Sequence, residues 1–187
     1  MNQIKLICLP FAGGSKYAYQ KFIKLSPDWM DVVPLDLAGR GSRINEKPMT
    51  VMEDIVDDIL NKIVPIIDQP YAIYGHSMGA LTTLLLVREI RKRGLPMPMH
   101  IFVTGHGGPS TSDKKIVRYN MEQKDLVSEL KALDGMPEEV LKDKVLLDYC
   151  LPIIRADFEA IETYEYEEDD PLDVAITCVI GREEQIS

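Results

Sequence analysis

A serine held between two glycines, in "YAIYGHSMGA" at residues 71–80, constrains this chain more than any other feature. The residues before it favour a strand. Those after it, from Ala80 to Arg93, place apolar side chains at helical spacing, with basic residues in the last turn and Gly94 just beyond, as helix ends prefer. A strand that passes into a helix through G-x-S-x-G must turn sharply. Side chains larger than glycine at Gly75 and Gly79 would meet neighbouring backbone, and Ser77 is pushed out at the C-terminal edge of the sheet. Strand, elbow and helix are therefore predicted as one unit, of the kind found in parallel sheets covered by helices.

The rest of the chain repeats that alternation. Strands are expected over residues 4–10, 31–37 (irregular at Pro34), 71–75, 100–105 and 173–181. Helices are expected over about 17–25, over 50–67 and over 80–93. In the second of these Val51, Met52, Ile55, Val56, Ile59, Leu60, Ile63 and Val64 mark one face, with acids on the other. Between Pro109 and Pro171 only helical patterns occur, over 124–133, 138–150 and 153–164. The chain thus reads as a single α/β domain over 1–187, with a mainly parallel sheet and an inserted all-helical lid at about 110–168. Met121, Leu126, Leu130, Leu133, Met136, Val140, Leu141 and Leu147 are expected mostly to pack the lid rather than touch substrate.

Composition narrows the function classes. A net charge of -9 argues against nucleic acid as a main ligand. Cys8, Cys150 and Cys178 sit in apolar contexts without CxxC spacing, which suggests buried free thiols in a reducing compartment. No apolar run approaches the ~18 residues a membrane span needs, and "MNQIKLICLP" lacks the form of a signal peptide. A cytoplasmic monomer is expected. The basic run "REIRKR" (88–93) and the acidic run "EYEEDD" (165–170) both read as solvated surface.

Ser77 is the candidate nucleophile. A serine hydroxyl needs a base to take its proton and donors to hold the oxyanion that forms. The amide of Met78, opening the helix, is the first expected donor. A second should come from the loop after the first strand, "LPFAGGS", where glycines let backbone approach a ligand closely. Ala12 is the first choice there and Phe11 the next.

At this point "LPFAGGS", "LDLAGRGSR", "YGHSMGA", "GMPEEVL" and "LPIIRADFEAIETY" together resemble the type II (external, editing) thioesterases that accompany nonribosomal peptide and polyketide synthases. The matches span nearly the whole chain in family order. One departure is Ala38, where the family usually has proline before "GRG". The resemblance implies an α/β-hydrolase fold with a helical lid. It also implies hydrolysis of acyl groups held as thioesters on the phosphopantetheine arm of acyl or peptidyl carrier domains. No metal and no cofactor of the enzyme's own are expected, since phosphopantetheine belongs to the substrate. A general carboxylesterase or acyltransferase on the same fold, and a truncated hydrolase-like binding module, are the alternatives.

In such a fold the acid follows the nucleophile and the histidine follows the acid. "CVIGREEQIS" offers Glu183 and Glu184, and the family's acid, usually aspartate, matches Glu184. Each of the chain's 3 histidines is a poor base. His76 adjoins Ser77, where neighbouring side chains diverge, and a packing or hydrogen-bonding role is expected. His100 lies at the wrong end of its strand. His106 lies at the right edge but precedes the acid. The family's histidine is expected beyond Ser187, so the chain reads either as part of a longer protein or as a hydrolase without its base. Arg155 and Asp157, in "RADF", are expected to form an ion pair fixing the lid on the core, or else to meet the carrier's arm.

Overall fold

The computed structural model describes residues 3–108, 117–133 and 135–182. Its strands are β1 (Ile4–Leu9), β2 (Met30–Pro34), β3 (Tyr71–His76), β4 (His100–Thr104) and β5 (Ala175–Val179). They form one 5-stranded sheet in the order β2-β1-β3-β4-β5, every neighbouring pair parallel. The order reverses between β1 and β3. In open parallel sheets a crevice opens at such a switch point, beyond the carboxyl ends of the strands. Ser77 follows β3 and the "PFAGGS" loop follows β1, so both lie at that crevice.

Alternation along the strands builds two cores. Ile7, Leu9 and Ile73 join α2 (Met52–Ile63) and α3 (Met78–Lys92) on one face. Leu6, Cys8 and Ala72 join Tyr19 on the other, with Tyr74 and Phe102 packed alongside. Burying each large aliphatic side chain is worth roughly 1.5–3 kcal/mol, and the α2 stripe of Met52, Ile55, Val56, Ile59, Leu60 and Ile63 is wholly buried, as its spacing predicts. Among the described residues no helix is long and apolar enough to cross a membrane.

Several boundaries differ from expectation. The segment read as one helix over 17–25 is a 3₁₀ turn, Lys16–Tyr19, followed by the short α1 (Gln20–Leu25). The second strand ends at Pro34, because Asp36 is drawn into a loop. Its carboxylate accepts hydrogen bonds from the amides of Lys16 and Ser42 (both 2.8 Å) and from the Ser42 hydroxyl (2.9 Å). In the lid, α4 (Gln123–Ala132) matches its prediction, but the next break does not. The chain makes a short α5 (Glu138–Lys142) and a long α6 (Lys144–Thr163) that runs through Pro152. The break falls at Asp143, whose side chain caps α6 by accepting from the amides of Val145 and Leu146. Pro152 removes a donor, yet Leu151, Ile153 and Ile154 around it are buried, and this packing carries the helix through it.

Leu126, Leu130, Met136, Leu151 and Ile154 form a lid core, with Met121, Val140, Leu141 and Leu147 against it. Leu133, expected to join them, is exposed. The cysteine expectation also divides. Cys8 is buried and its thiol is pushed up to about 12 by burial, Cys150 is half-buried, and Cys178 is exposed on β5, which among the described residues pairs with β4 alone. The lid residues 109–116 and Asp134 lie outside the described residues.

Asp36 makes the fold sensitive to acid. Burial alone would raise its carboxyl, but the Lys16 and Ser42 amides, the Ser42 hydroxyl and the Lys16 ammonium outweigh burial and hold it below the ordinary value. A group depressed in the folded state stabilises fully above its unfolded value, about 3.9 for aspartate, and loses that contribution as pH falls through the folded value. Denaturant unfolding followed from pH 6 to pH 3 should therefore show stability falling in this window. Asp36→Asn should show a shallower fall and lower stability at pH 6. Equal slopes for the two proteins would refute the assignment.

Candidate active site

Ser77 has φ 53° and ψ −117°, and it is the one non-glycine residue with positive φ among the described residues. That conformation is costly for an L residue and is enforced from both sides. A Cβ on Gly75 would lie 2.0 Å from the Gly79 carbonyl oxygen and 2.4 Å from Thr83 Oγ1. A Cβ on Gly79 would lie 2.4 Å from the Leu9 carbonyl oxygen. Helix α3 thus presses on β3 and on the end of β1 at once. The Ser77 amide donates to the Thr104 carbonyl (2.8 Å), and the Ser77 carbonyl accepts from Ala80 (2.8 Å), so the elbow is pinned at both ends. Among the described residues nothing hydrogen-bonds to Ser77 Oγ, which lies on a half-buried residue.

Two amides near the serine are open to a ligand. Met78 is the first residue of α3, so its amide is one of the donors that a helix start leaves unpaired. Its side chain is buried in the main core. Ala12 sits in the turn closed by the Gly14 amide on the Phe11 carbonyl (2.8 Å). Among the described residues neither the Met78 nor the Ala12 amide has a protein acceptor. The next amide does: Gly13, at φ 76°, donates to Asp157 Oδ2 at 2.7 Å. The turn lies against the elbow, because Leu9 and Pro10 backbone crowd Gly79.

The loop is held from below and above. Asp157, wholly buried on α6, makes a two-pronged pair with Arg40 (2.5 and 2.6 Å). Arg40 also reaches the Gly14 carbonyl at 3.4 Å. The "RADF" ion pair therefore exists, but its cation is Arg40 and not Arg155. Residues two apart on a helix do not face each other, and Arg155 instead donates to the Tyr119 carbonyl (2.8 Å). Nothing within "LDLAGRGSR" itself marks Arg40 as that cation. A buried acid on a helix two places from a solvent-reaching arginine needed a cation elsewhere, and that was the available signal.

The histidines fall as expected. His76 Nδ1 shares a hydrogen bond with Thr104 Oγ1 (2.9 Å), and its ring meets Phe11 edge to face at 5.9 Å. It points to the sheet face opposite α3, with Tyr74, whose hydroxyl meets the same Thr104. His100 bonds Thr177 (2.8 Å), and His106 Nδ1 lies 2.7 Å from the Gly107 carbonyl. Glu183 and Glu184 lie outside the described residues. The two charge runs lie at the surface, as expected, and meet each other there. Arg88 donates to the Glu167 carbonyl (3.0 Å) and stacks on Tyr166, and Arg91 pairs with Asp169 (2.6 Å) and donates to the Asp170 carbonyl (2.9 Å). The basic run thus straps down the acidic one.

Residues 4–186 match the family model described as Thioesterase domain. The gramicidin S biosynthesis protein GrsT of Aneurinibacillus migulanus is 35% identical over 96% of this chain and 70% of its own length. Among solved structures, the RedJ thioesterase from the prodiginine biosynthetic pathway in Streptomyces coelicolor superposes with a TM-score of 0.88 at 31% identity, covering 95% of this chain and 70% of RedJ. ClbQ from the colibactin NRPS/PKS pathway gives a TM-score of 0.89 at 29% identity, covering 98% and 80%.

The crowding at the elbow predicts a sharp contrast between glycines. Gly75→Ala should cost more than about 4 kcal/mol, because backbone on the far side cannot yield. Gly94→Ala, where a Cβ meets nothing within 4 Å and only φ +63° opposes it, should cost about 1–2 kcal/mol. Thermal and denaturant unfolding of the two variants reads the difference. Similar losses would mean that the elbow can relax.

Proposed function

This chain belongs to the thioesterase domain family, and on that premise we propose that it clears acyl groups from the phosphopantetheine arm of carrier domains in nonribosomal peptide or polyketide synthesis. The fold is that of the α/β-hydrolase thioesterases. The observation that carries the catalytic reading is the strained Ser77 at the mouth of the switch-point crevice, with two unpaired amides beside it.

In this reading Ser77 Oγ attacks the thioester carbonyl carbon and gives up its proton to a base. The carbonyl oxygen becomes an oxyanion, held by the Met78 and Ala12 amides. The C–S bond then breaks and the arm leaves as a thiol, taking a proton. Water attacks the acyl-enzyme, and the acid is released as Ser77 regains its proton. Removing one such donor typically costs ~100- to 1000-fold in rate. The base is assigned to none of His76, His100 and His106, whose observed hydrogen bonds go to Thr104, Thr177 and Gly107. Glu184 is proposed as the acid, with Glu183 the alternative.

The pairing of Arg88 and Arg91 with residues 166–170 engages these two cations of the basic run within the chain itself. The carrier's arm is instead proposed to enter at the crevice between the Ala12 turn and the lid.

A fluorophosphonate probe should label the natural protein at Ser77, and Ser77→Ala should abolish both labelling and turnover of an acetyl-loaded carrier. Loss of a nucleophile costs ~10⁶-fold in comparable enzymes. Absence of labelling would remove the serine-hydrolase reading. Labelling with no preference for acyl-carrier over a simple ester would leave a general esterase.

A further inference from the structure

We propose that Asp157 is a positioning residue for catalysis: from the lid helix it aims the Ala12 amide at the oxyanion by holding the Gly13 amide beside it. The assignment rests on the reading of Ala12 as an oxyanion donor. Three observations carry it. The Gly13 amide is bound to Asp157 Oδ2 at 2.7 Å across 144 residues of sequence. Gly13 is also seated on the same helix, since a Cβ there would lie 2.6 Å from Ile154 Cγ1. The same carboxylate grips Arg40 through both oxygens, and Arg40 reaches back to the Gly14 carbonyl.

Consecutive amides lie in separate rigid peptide planes joined at one Cα. The Gly13 N–H belongs to the Ala12–Gly13 plane, so anchoring it to Asp157 leaves only φ and ψ of Ala12 between a fixed plane and the Ala12 N–H, and limits where that N–H can point. Without that anchor the turn keeps one backbone hydrogen bond, from Gly14 to Phe11, and glycines at 13 and 14 allow it wide freedom. An oxyanion donor acts only if it is aimed before the charge develops. Because Asp157 belongs to α6, the oxyanion turn is organised only while the lid helix is seated. Arg40 has a matching role: it neutralises the carboxylate and fixes its plane, so that Oδ2 faces Gly13.

A structural role for the pair and a positioning role separate when the charges are removed together. Arg40→Met with Asp157→Leu deletes the pair and the acceptor while filling the space. Arg40→Gln with Asp157→Asn deletes the charges but keeps an amide oxygen for Gly13. Both doubles escape the penalty of a lone buried charge. Carrier-bound acetyl turnover of the apolar double should lose ~100-fold in kcat with little change in KM, the size of a misplaced donor. The polar double should recover to within about tenfold of wild type. An acyl trifluoromethyl ketone, whose adduct with Ser77 carries an oxyanion, should weaken in parallel with kcat, whereas a non-hydrolysable thioether analogue should bind all variants alike. Amide hydrogen exchange at Gly13 should be slow in wild type and the polar double, and fast in the apolar double.

Equal kcat in the two doubles, or equal loss of ketone and thioether binding, would overturn the proposal. Should the apolar double not fold, Asp157→Asn alone reads the same relation: Gly13 exchange that quickens with no loss of ketone affinity overturns it, and parallel changes support it. If Ser77→Ala binds the ketone as well as wild type does, the oxyanion reading itself fails and takes the proposal with it. Slow Gly13 exchange in that variant would identify the failed step as the chemistry, with the Asp157 anchor intact.

Discussion

The backbone of α3 lies so close to β3 and to the end of β1 that neither Gly75 nor Gly79 has room for a Cβ. This contact sets the rest of the site. It brings the first turn of α3 under the loop that leaves β1, and so puts the Met78 amide and the "PFAGGS" turn on one side of Ser77. It also forces Ser77 into a backbone conformation that a free chain would leave at once. The strain is sustained by neighbours that are themselves fixed: Thr83 back-bonded to Gly79 (2.7 Å), and Ser77 held to β4 through Thr104. The central strands β1 and β3 supply this rigidity, since they are largely buried and cannot shift without disturbing two cores.

A second layer of order is electrostatic. Burial takes two carboxylates, Asp36 and Asp157, out of water; at Asp36 the amide, hydroxyl and ammonium partners outweigh that penalty, and at Asp157 the two-pronged pair with Arg40 offsets it. What these acids supply is geometry. Asp36 closes the 36–42 loop and reaches the Lys16 amide at the far end of the glycine turn. Asp157 holds the near end at Gly13. Arg40, rising from the loop that Asp36 organises, joins the two systems. A turn with two consecutive glycines is thereby held at residues 13 and 16. An apolar replacement would hold the same volume but could not say where an amide must point.

Much of this was legible in the sequence, and the reasons are local. The elbow, the α2 stripe and the strand alternation are written within windows of a few residues, so periodicity and glycine placement reveal them. The strained setting of Ser77 and the hydrogen-bonding of His76 follow from the same short patterns. What was not legible depends on distant partners. "RADF" suggested an ion pair, yet its cation lies 117 residues away in another loop. The basic and acidic runs lie at the surface as expected, but nothing in their own windows shows that they meet across 78 residues of chain. The lid break was misplaced for a subtler reason. Pro152 is the stronger local signal, but buried neighbours carry α6 through it, while the quieter Asp143 caps the helix that begins there.

Helix α6 shows why the lid cannot be regarded as a loose flap. Ile154 belongs to the lid core, whereas Ala160, six residues further on, belongs to the main core with Ile161 and Tyr164 packed beside it. One helix is thus shared by two cores, and Asp157 sits between these two anchoring points. Past its C-terminal end the chain is strapped to α3 by Arg88 and Arg91. Motion that admitted a substrate by swinging α6 as a unit would have to break a buried two-pronged ion pair, where stranding one partner typically costs about 3–5 kcal/mol. Helix α4 is tied to α6 as well, because Arg118 pairs with Glu129 of α4 (2.9 Å) and with Glu162 of α6 (3.5 Å). Leu126 and Leu130 of α4 pack on Leu151 and Ile154 of α6, so the outer layer of the lid rests on a helix that is itself fixed to the main core.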